Sequence, residues 1–93
     1  MILSTKGKLA TNAAADVYGK GLPPELVKRT RAMLSALDAA VVLEDLRFPP
    51  GNGLEPLVGD RVGQHSVRIN KQWRICFVWT QQGPTDVEIV DYH

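Results

Sequence analysis

Residues 65–77 read HSVRINKQWRICF, two runs rich in Val, Ile, Trp and Phe separated by Asn, Lys and Gln. Such runs on either side of a polar break specify a β-hairpin. Its register decides which side chains share a face. A two-residue turn at Asn70-Lys71 would set Val67 opposite Arg74, an apolar group against a charge. A three-residue connection, Asn70-Lys71-Gln72, instead aligns Ile69 with Trp73, Val67 with Ile75 and His65 with Phe77. It sorts Val67, Ile69, Trp73, Ile75 and Phe77 onto one face, and Ser66, Arg68, Arg74 and Cys76 onto the other. A slip of one residue reverses every side chain, so burial of the apolar face selects the second register.

Outward from the hairpin, the two-residue period defines strands over Gln64–Ile69 and Trp73–Trp79. Gln81-Gln82-Gly83-Pro84 forms a turn, and Asp86–Tyr92 is a last strand with Val87 and Ile89 on one side. Upstream, RFPPGNG at 47–53 is a loop, its prolines and glycines breaking any regular pattern. Before the loop the period is 3.6. Leu26, Thr30, Met33, Leu34, Leu37 and Val41 make one helix face, with Pro24 in the first turn and Glu25 beside the dipole. Lys28, Arg29 and Arg31 form a basic stripe on the outer face of that helix. A shorter helix is expected over Lys8–Tyr18, stopped by Gly19 and Gly21, and Met1–Ser4 is a candidate strand. The order β-α-α-β-β-β describes an α+β domain spanning 1–93, two helices packed on one face of a twisted, mostly antiparallel sheet.

The 93 residues allow one core. Hydrophobic residues at 44% and charged residues at 23% are ordinary for a globular chain, and no apolar run nears the roughly 18 residues of a membrane span. Residues 1–20 lack the uninterrupted apolar stretch of a signal peptide, so a cytoplasmic location without membrane contact is expected. The lone Cys76 cannot form an intrachain disulfide and reads as packing, while no Cys/His spacing suits a metal. Net charge is only +1, but residues 1–36 carry six basic side chains against two acidic ones. That asymmetry is either solvated helix surface or a basic face for phosphates or an acidic partner.

In the second register Arg68 and Arg74 are direct cross-strand neighbours, which is repulsive unless something anionic lies between them. Either a carboxylate of the next strand, Asp91 or Glu88, neutralises them, or they form an anion site. Guanidinium forks grip phosphate oxygens in pairs and stay charged at any working pH. The last strand, VEIVDYH, would bring Asp91, Tyr92 and His93 beside this face, and an imidazole titrates near neutrality, as acid–base catalysis requires. His65 is a second histidine, either packed at the core edge against Phe77 or a reserve base.

Several stretches together, LDAAVVLEDLRFPPGNGLEPLVGDRVGQHSVRINKQWRICFVW and GPTDVEIVDYH, resemble the HigB branch of the RelE/ParE toxin superfamily, the plasmid-maintenance killer-protein type. The resemblance covers Leu37 to His93, carried by the PPGN turn, the L-x-P-L-x-G-D-R-x-G segment, the R-I-N-x-Q-W-R-I hairpin and the D-Y-H ending. It implies a RelE-like fold and the toxin of a type II toxin–antitoxin pair: a ribosome-dependent endoribonuclease that cuts mRNA without a metal or other cofactor. It also implies a HigA-like helix-turn-helix antitoxin, with operator DNA bound through that antitoxin. By position, His93 is the acid or base, Arg74 stabilises the phosphorane with Arg68 as a second donor, Tyr92 stacks on a base or bonds the phosphate, and Asp91 orients a base or an arginine. Lys71, Lys28, Arg29 and Arg31 are candidate contacts to RNA and the ribosome. Some relatives carry a histidine and a lysine where this chain has Glu55 and Val58, which makes Glu55 a further candidate base. Two other readings share the fold: a non-catalytic toxin that binds gyrase as ParE-type proteins do, and a weakly active relative that works mainly as an antitoxin-bound repressor complex.

Overall fold

A computed structural model describes residues 1–92. The helices are α1 (Lys8–Ala14) and α2 (Val27–Ala39), and the strands β1 (Glu55–Pro56), β2 (His65–Arg68), β3 (Trp73–Thr80) and β4 (Gly83–Asp91). The strands pair in sequence order as one antiparallel sheet. The architecture is α+β as expected, but the element order is α-α-β-β-β-β. Met1–Ser4 forms no named strand. It is a strap along β4, held by the N–H of Leu3 on the Pro84 carbonyl and of Val87 on the Ser4 carbonyl, with one parallel bridge from Thr5 to Val87.

The strap attaches where β4 is irregular. Cys76 pairs with Glu88 and Val78 with Thr85, so β4 carries one extra residue in this interval. Asp86 absorbs the bulge with φ of 51°, a left-handed conformation that Asp tolerates better than most residues. Its N–H donates to Ser4 Oγ at 2.9 Å. The strap crosses so close to Gly83 (φ 134°) that a β-carbon there would overlap the Met1 carbonyl. From the other side, Asp38 of α2 accepts the Ile2 N–H at 2.9 Å.

Helix α1 stops at Ala14, before the Tyr18 end that periodicity predicts. Asp16, at φ 60°, takes the left-handed position, and the N–H groups of Asp16 and Val17 close onto the carbonyls of Ala13 and Asn12. An aspartate therefore ends the helix three residues ahead of the expected Gly19. Pro24 opens a short 3-10 turn that leads into α2. Thr30, Met33, Leu34 and Leu37 of α2 are buried as the 3.6 period requires, whereas Val41 lies beyond the helix and is exposed.

The hairpin has the three-residue connection. His65 pairs with Phe77, Ser66 with Cys76, Val67 with Ile75 and Arg68 with Arg74. Asn70 Oδ1 accepts the N–H groups of Gln72 at 2.8 Å and Trp73 at 2.7 Å, so one side chain does the work of the turn. Val67, Ile75, Phe77 and Val87 pack against Leu37 and Leu46, all at 1% exposure or less, in the core between sheet and helices. Trp73 is buried there too, and Trp79 packs half-buried at its margin. The 47–53 loop is fastened to this core by Asn52, buried, whose amide donates to the Leu46 and Phe48 carbonyls at 3.2 and 3.1 Å.

Leu37→Ala should leave a cavity under the sheet and lower stability by about 2–5 kcal/mol in a urea titration. A loss below about 1 kcal/mol would place the centre of the core elsewhere.

Candidate functional site

The face of the sheet opposite the helices carries a row of side chains, one from each strand: Glu55, Ser66, Cys76 and Glu88, aligned by the pairings of Glu55 with Ser66, Ser66 with Cys76 and Cys76 with Glu88. Arg74 stands one pleat along, between Arg68 and Val90. It is the only charged residue among those described that is buried, at 9% exposure. Its Nη1 donates to Ser66 Oγ at 2.7 Å, and its Nη2 forms an ion pair with Glu55 Oε1 at 3.0 Å. The Tyr92 ring lies with its centroid 6.0 Å from the guanidinium carbon. Glu55, Lys71, Arg74, Val90, Asp91 and Tyr92 line an open groove of about 610 Å³ above this arrangement.

The carboxylate that neutralises Arg74 is therefore Glu55, from a strand the alternation pattern does not reveal, and neither Asp91 nor Glu88. Glu88 accepts from Arg61 at 3.1 Å, which also donates to Gln64 at 3.1 Å. That ion pair raises the Arg61 guanidinium above its ordinary value. Asp91 pairs across the sheet with Trp73, so strand alternation points it away from Arg74. Gln72 Nε2 donates to its Oδ1 at 2.9 Å. Arg68 is exposed and packs along Gly53, whose φ of 60° and missing β-carbon leave room for the guanidinium. Lys71 sits exposed at the groove's lip.

His65 belongs to the other face. Its ring stacks on Phe77 at 6.3 Å and 26°, and its Nδ1 is buried without a hydrogen-bond partner among the described residues. It is the core-edge histidine, distant in orientation from Arg74. The basic stripe of α2 is also divided. Arg29 donates to the carbonyls of Gly51 and Arg68 at 3.2 and 3.3 Å, bracing the loop against the hairpin. Arg31 donates to Asp16 at 2.8 Å and lies over the Tyr18 ring, while Lys28 is exposed. His93 lies outside the described residues.

Sequence reasoning placed Ser66 on the polar face without recognising it as the seat of a guanidinium. A buried hydroxyl directly across from Cys76 and beside Arg74 was the available signal. Cys76 is fully buried, yet its surroundings on this face are polar: Arg61, Glu88, Arg74 and the Tyr92 hydroxyl. Burial raises its thiol above the ordinary 9.0, an effect that nearby Arg61 partly offsets. Among the described residues no cluster of three or more His, Cys, Asp and Glu side chains is arranged to hold a metal ion, and no helix is long and apolar enough to cross a membrane.

Residues 12–93 match the family described as the RelE-like toxin of type II toxin-antitoxin system HigB. The chain belongs to that family. Toxin HigB-1 of Vibrio cholerae is 43% identical over 58 residues, which cover 62% of this chain and 61% of that one. Endoribonuclease HigB of Proteus vulgaris is 33% identical over 73 residues, 78% of each chain. An uncharacterized Haemophilus influenzae protein is 36% identical over 62 residues, 67% of this chain and 60% of its own. The two helices on a four-stranded sheet agree with a RelE-like toxin.

The Cys76 environment generates a pH prediction. The native state holds the thiol protonated, so the unfolded chain ionises first, and native stability is full below pH 9.0 and falls as pH rises past it. Cys76→Ala should flatten this decline when denaturant midpoints are compared at about pH 8 and about pH 10. An unchanged slope would mean that the thiol is not shifted by burial.

Proposed function

We propose that this chain is the toxin of a type II toxin–antitoxin pair and cuts mRNA on the ribosome by attack of the ribose 2′-hydroxyl on the adjacent phosphodiester. The supporting observation is Arg74: a desolvated guanidinium, fixed by Ser66, facing an open groove that also holds a carboxylate and a tyrosine. A relative at 33% identity bears the name Endoribonuclease HigB, which agrees with this reading.

The base and the phosphate clamp are drawn from residues that line the groove. As the 2′-oxygen bonds to phosphorus, its proton passes to a base, and Glu55 supplies a carboxylate within the groove. Charge builds on the equatorial oxygens of the phosphorane, where Arg74, held in place by Ser66, meets it once Glu55 has moved off Nη2. The bond from phosphorus to the 5′-oxygen breaks as an acid delivers a proton to that oxygen. His93 is assigned that role because of its place after Asp91 and Tyr92. Tyr92, half-buried beside Arg74, offers a ring on which a base stacks. Lys71 lines the groove and contacts a neighbouring phosphate, and the exposed Arg68, paired across the strands with Arg74, is assigned a second such contact. Asp91, tied to Gln72 at the rim of the groove, holds the end of β4 in place. Arg29 is spent on internal carbonyls, so ribosome contact is assigned to Lys28, Arg68 and Lys71 in preference to it.

No metal is assigned a step in this scheme. The chain acts in the cytoplasm, where translating ribosomes are. Its antitoxin is a HigA-like helix-turn-helix protein, and the complex reaches operator DNA through that partner.

Expression from a repressible promoter tests the proposal. Wild type should arrest growth and create new 5′ ends in translated messages. Arg74→Ala should reduce cleavage about 100- to 1,000-fold, the usual effect of removing one donor to a developing oxyanion, and His93→Ala should abolish arrest. Arrest without new mRNA ends would overturn the nuclease and favour a toxin that acts by binding, as on gyrase.

A further inference from the structure

The partner that Arg74 has in the free chain is an anion. From this we infer that Glu55 is a specificity determinant: it occupies the seat of the scissile phosphate and reserves Arg74 for an RNA that a second body already holds. The inference rests on the nuclease reading and adds to it the residue that enforces the requirement for RNA held by a second body.

The geometry is asymmetric. The Arg74 side chain is 11% exposed and the Glu55 side chain 49%, at a separation of 3.0 Å. Ser66 occupies Nη1 from within the sheet, so the guanidinium cannot follow its partner into solvent. Nη2 faces the groove, and a phosphate entering from that side meets the nitrogen that Glu55 holds. One planar fork cannot present the same N–H groups to a carboxylate and a phosphate at once. Displacing Glu55 is nevertheless easy. It sits on a two-residue strand, both residues exposed, at the edge of the sheet.

A partly exposed ion pair of this kind weakens a competing anion by up to about fivefold. Free RNA, binding with modest affinity through phosphates alone, bears that handicap in full. RNA already positioned by a large body is presented to the groove at an effective concentration on the order of millimolar, and so outcompetes the carboxylate. The neighbouring charges do not alter the conclusion. Lys71 and Arg68 attract any RNA equally, and Glu88 is engaged by Arg61. Glu55 alone among the described carboxylates contacts Arg74.

The test measures binding without cleavage. A fluorescent single-stranded RNA carrying 2′-O-methyl groups throughout cannot be cut, so its anisotropy reports binding whether or not the protein is a nuclease. Glu55→Gln should bind it about 2- to 5-fold more tightly than wild type, with the logarithmic salt dependence steeper by about 0.7, one added phosphate contact. Glu88→Gln, which frees Arg61 instead, should not change the salt slope by that amount. Glu55→Asp withdraws the carboxylate by one methylene and should give a smaller gain, which keeps the test decisive if the amide variant folds poorly. Equal or weaker binding by both Glu55 variants would overturn the inference, as would the same gain in Glu88→Gln.

Discussion

A guanidinium taken out of water must be given partners that replace the water, or the fold that buries it loses several kcal/mol. Arg74 is in that position, and the polar side of this sheet is arranged around it. Ser66 on the adjacent strand accepts one N–H, Glu55 on the next strand pairs with its charge, and the Tyr92 ring centroid lies 6.0 Å from the guanidinium carbon. All three depend on one register. If β2 slid by a single residue against β3, Ser66 would turn into the core, and the cation would have no hydroxyl to hold it. Packing of Val67, Ile75 and Phe77 against the helices therefore fixes more than stability. It sets the direction in which the cation can act.

The opposite side of the molecule explains why so small a domain can hold a charged group without collapse around it. Leu37, Leu46 and Phe77 anchor the helical face, while Asn52 and Arg29 fasten the proline-glycine loop across the end of the hairpin. That loop carries Gly53, whose missing β-carbon leaves room for the Arg68 side chain. At the far edge, the bulge at Asp86 lets the N-terminal strap pair with β4 and keeps that strand from ending as an open edge. Each fastening is a buried or bonded polar group at a chain irregularity, so the irregular segments are tied to the core by specific bonds.

How much of this could be read from the sequence follows from how local each cause is. The hairpin register was legible because a period of two, read over thirteen residues, admits one arrangement that separates apolar from charged side chains. Helix α2 was legible for the same reason at a period of 3.6. The partner of Arg74 was not. Glu55 lies on a two-residue strand, too short to carry a pattern, and its pairing with Ser66 is set by how the 57–64 loop returns. The early stop of α1 depended on Asp16 adopting a left-handed conformation that glycine usually signals. Arg29 read as part of an outward basic stripe, solvated or RNA-binding, because its partners, two backbone carbonyls, have no sequence signature. His65 offered two orientations, and the stack on Phe77 shows which one the register chose.

The account stands or falls on Arg74 acting through its fork and not merely through its charge. Single-turnover cleavage of mRNA in a programmed ribosome, with wild type and Arg74→Lys at saturating toxin, separates the two. Lysine keeps the positive charge but cannot bond Ser66 and a phosphate in the same plane. The account predicts a rate about 100-fold lower with ribosome affinity unchanged. A lysine variant that cuts at the wild-type rate, or one that loses affinity while keeping its rate, would contradict it.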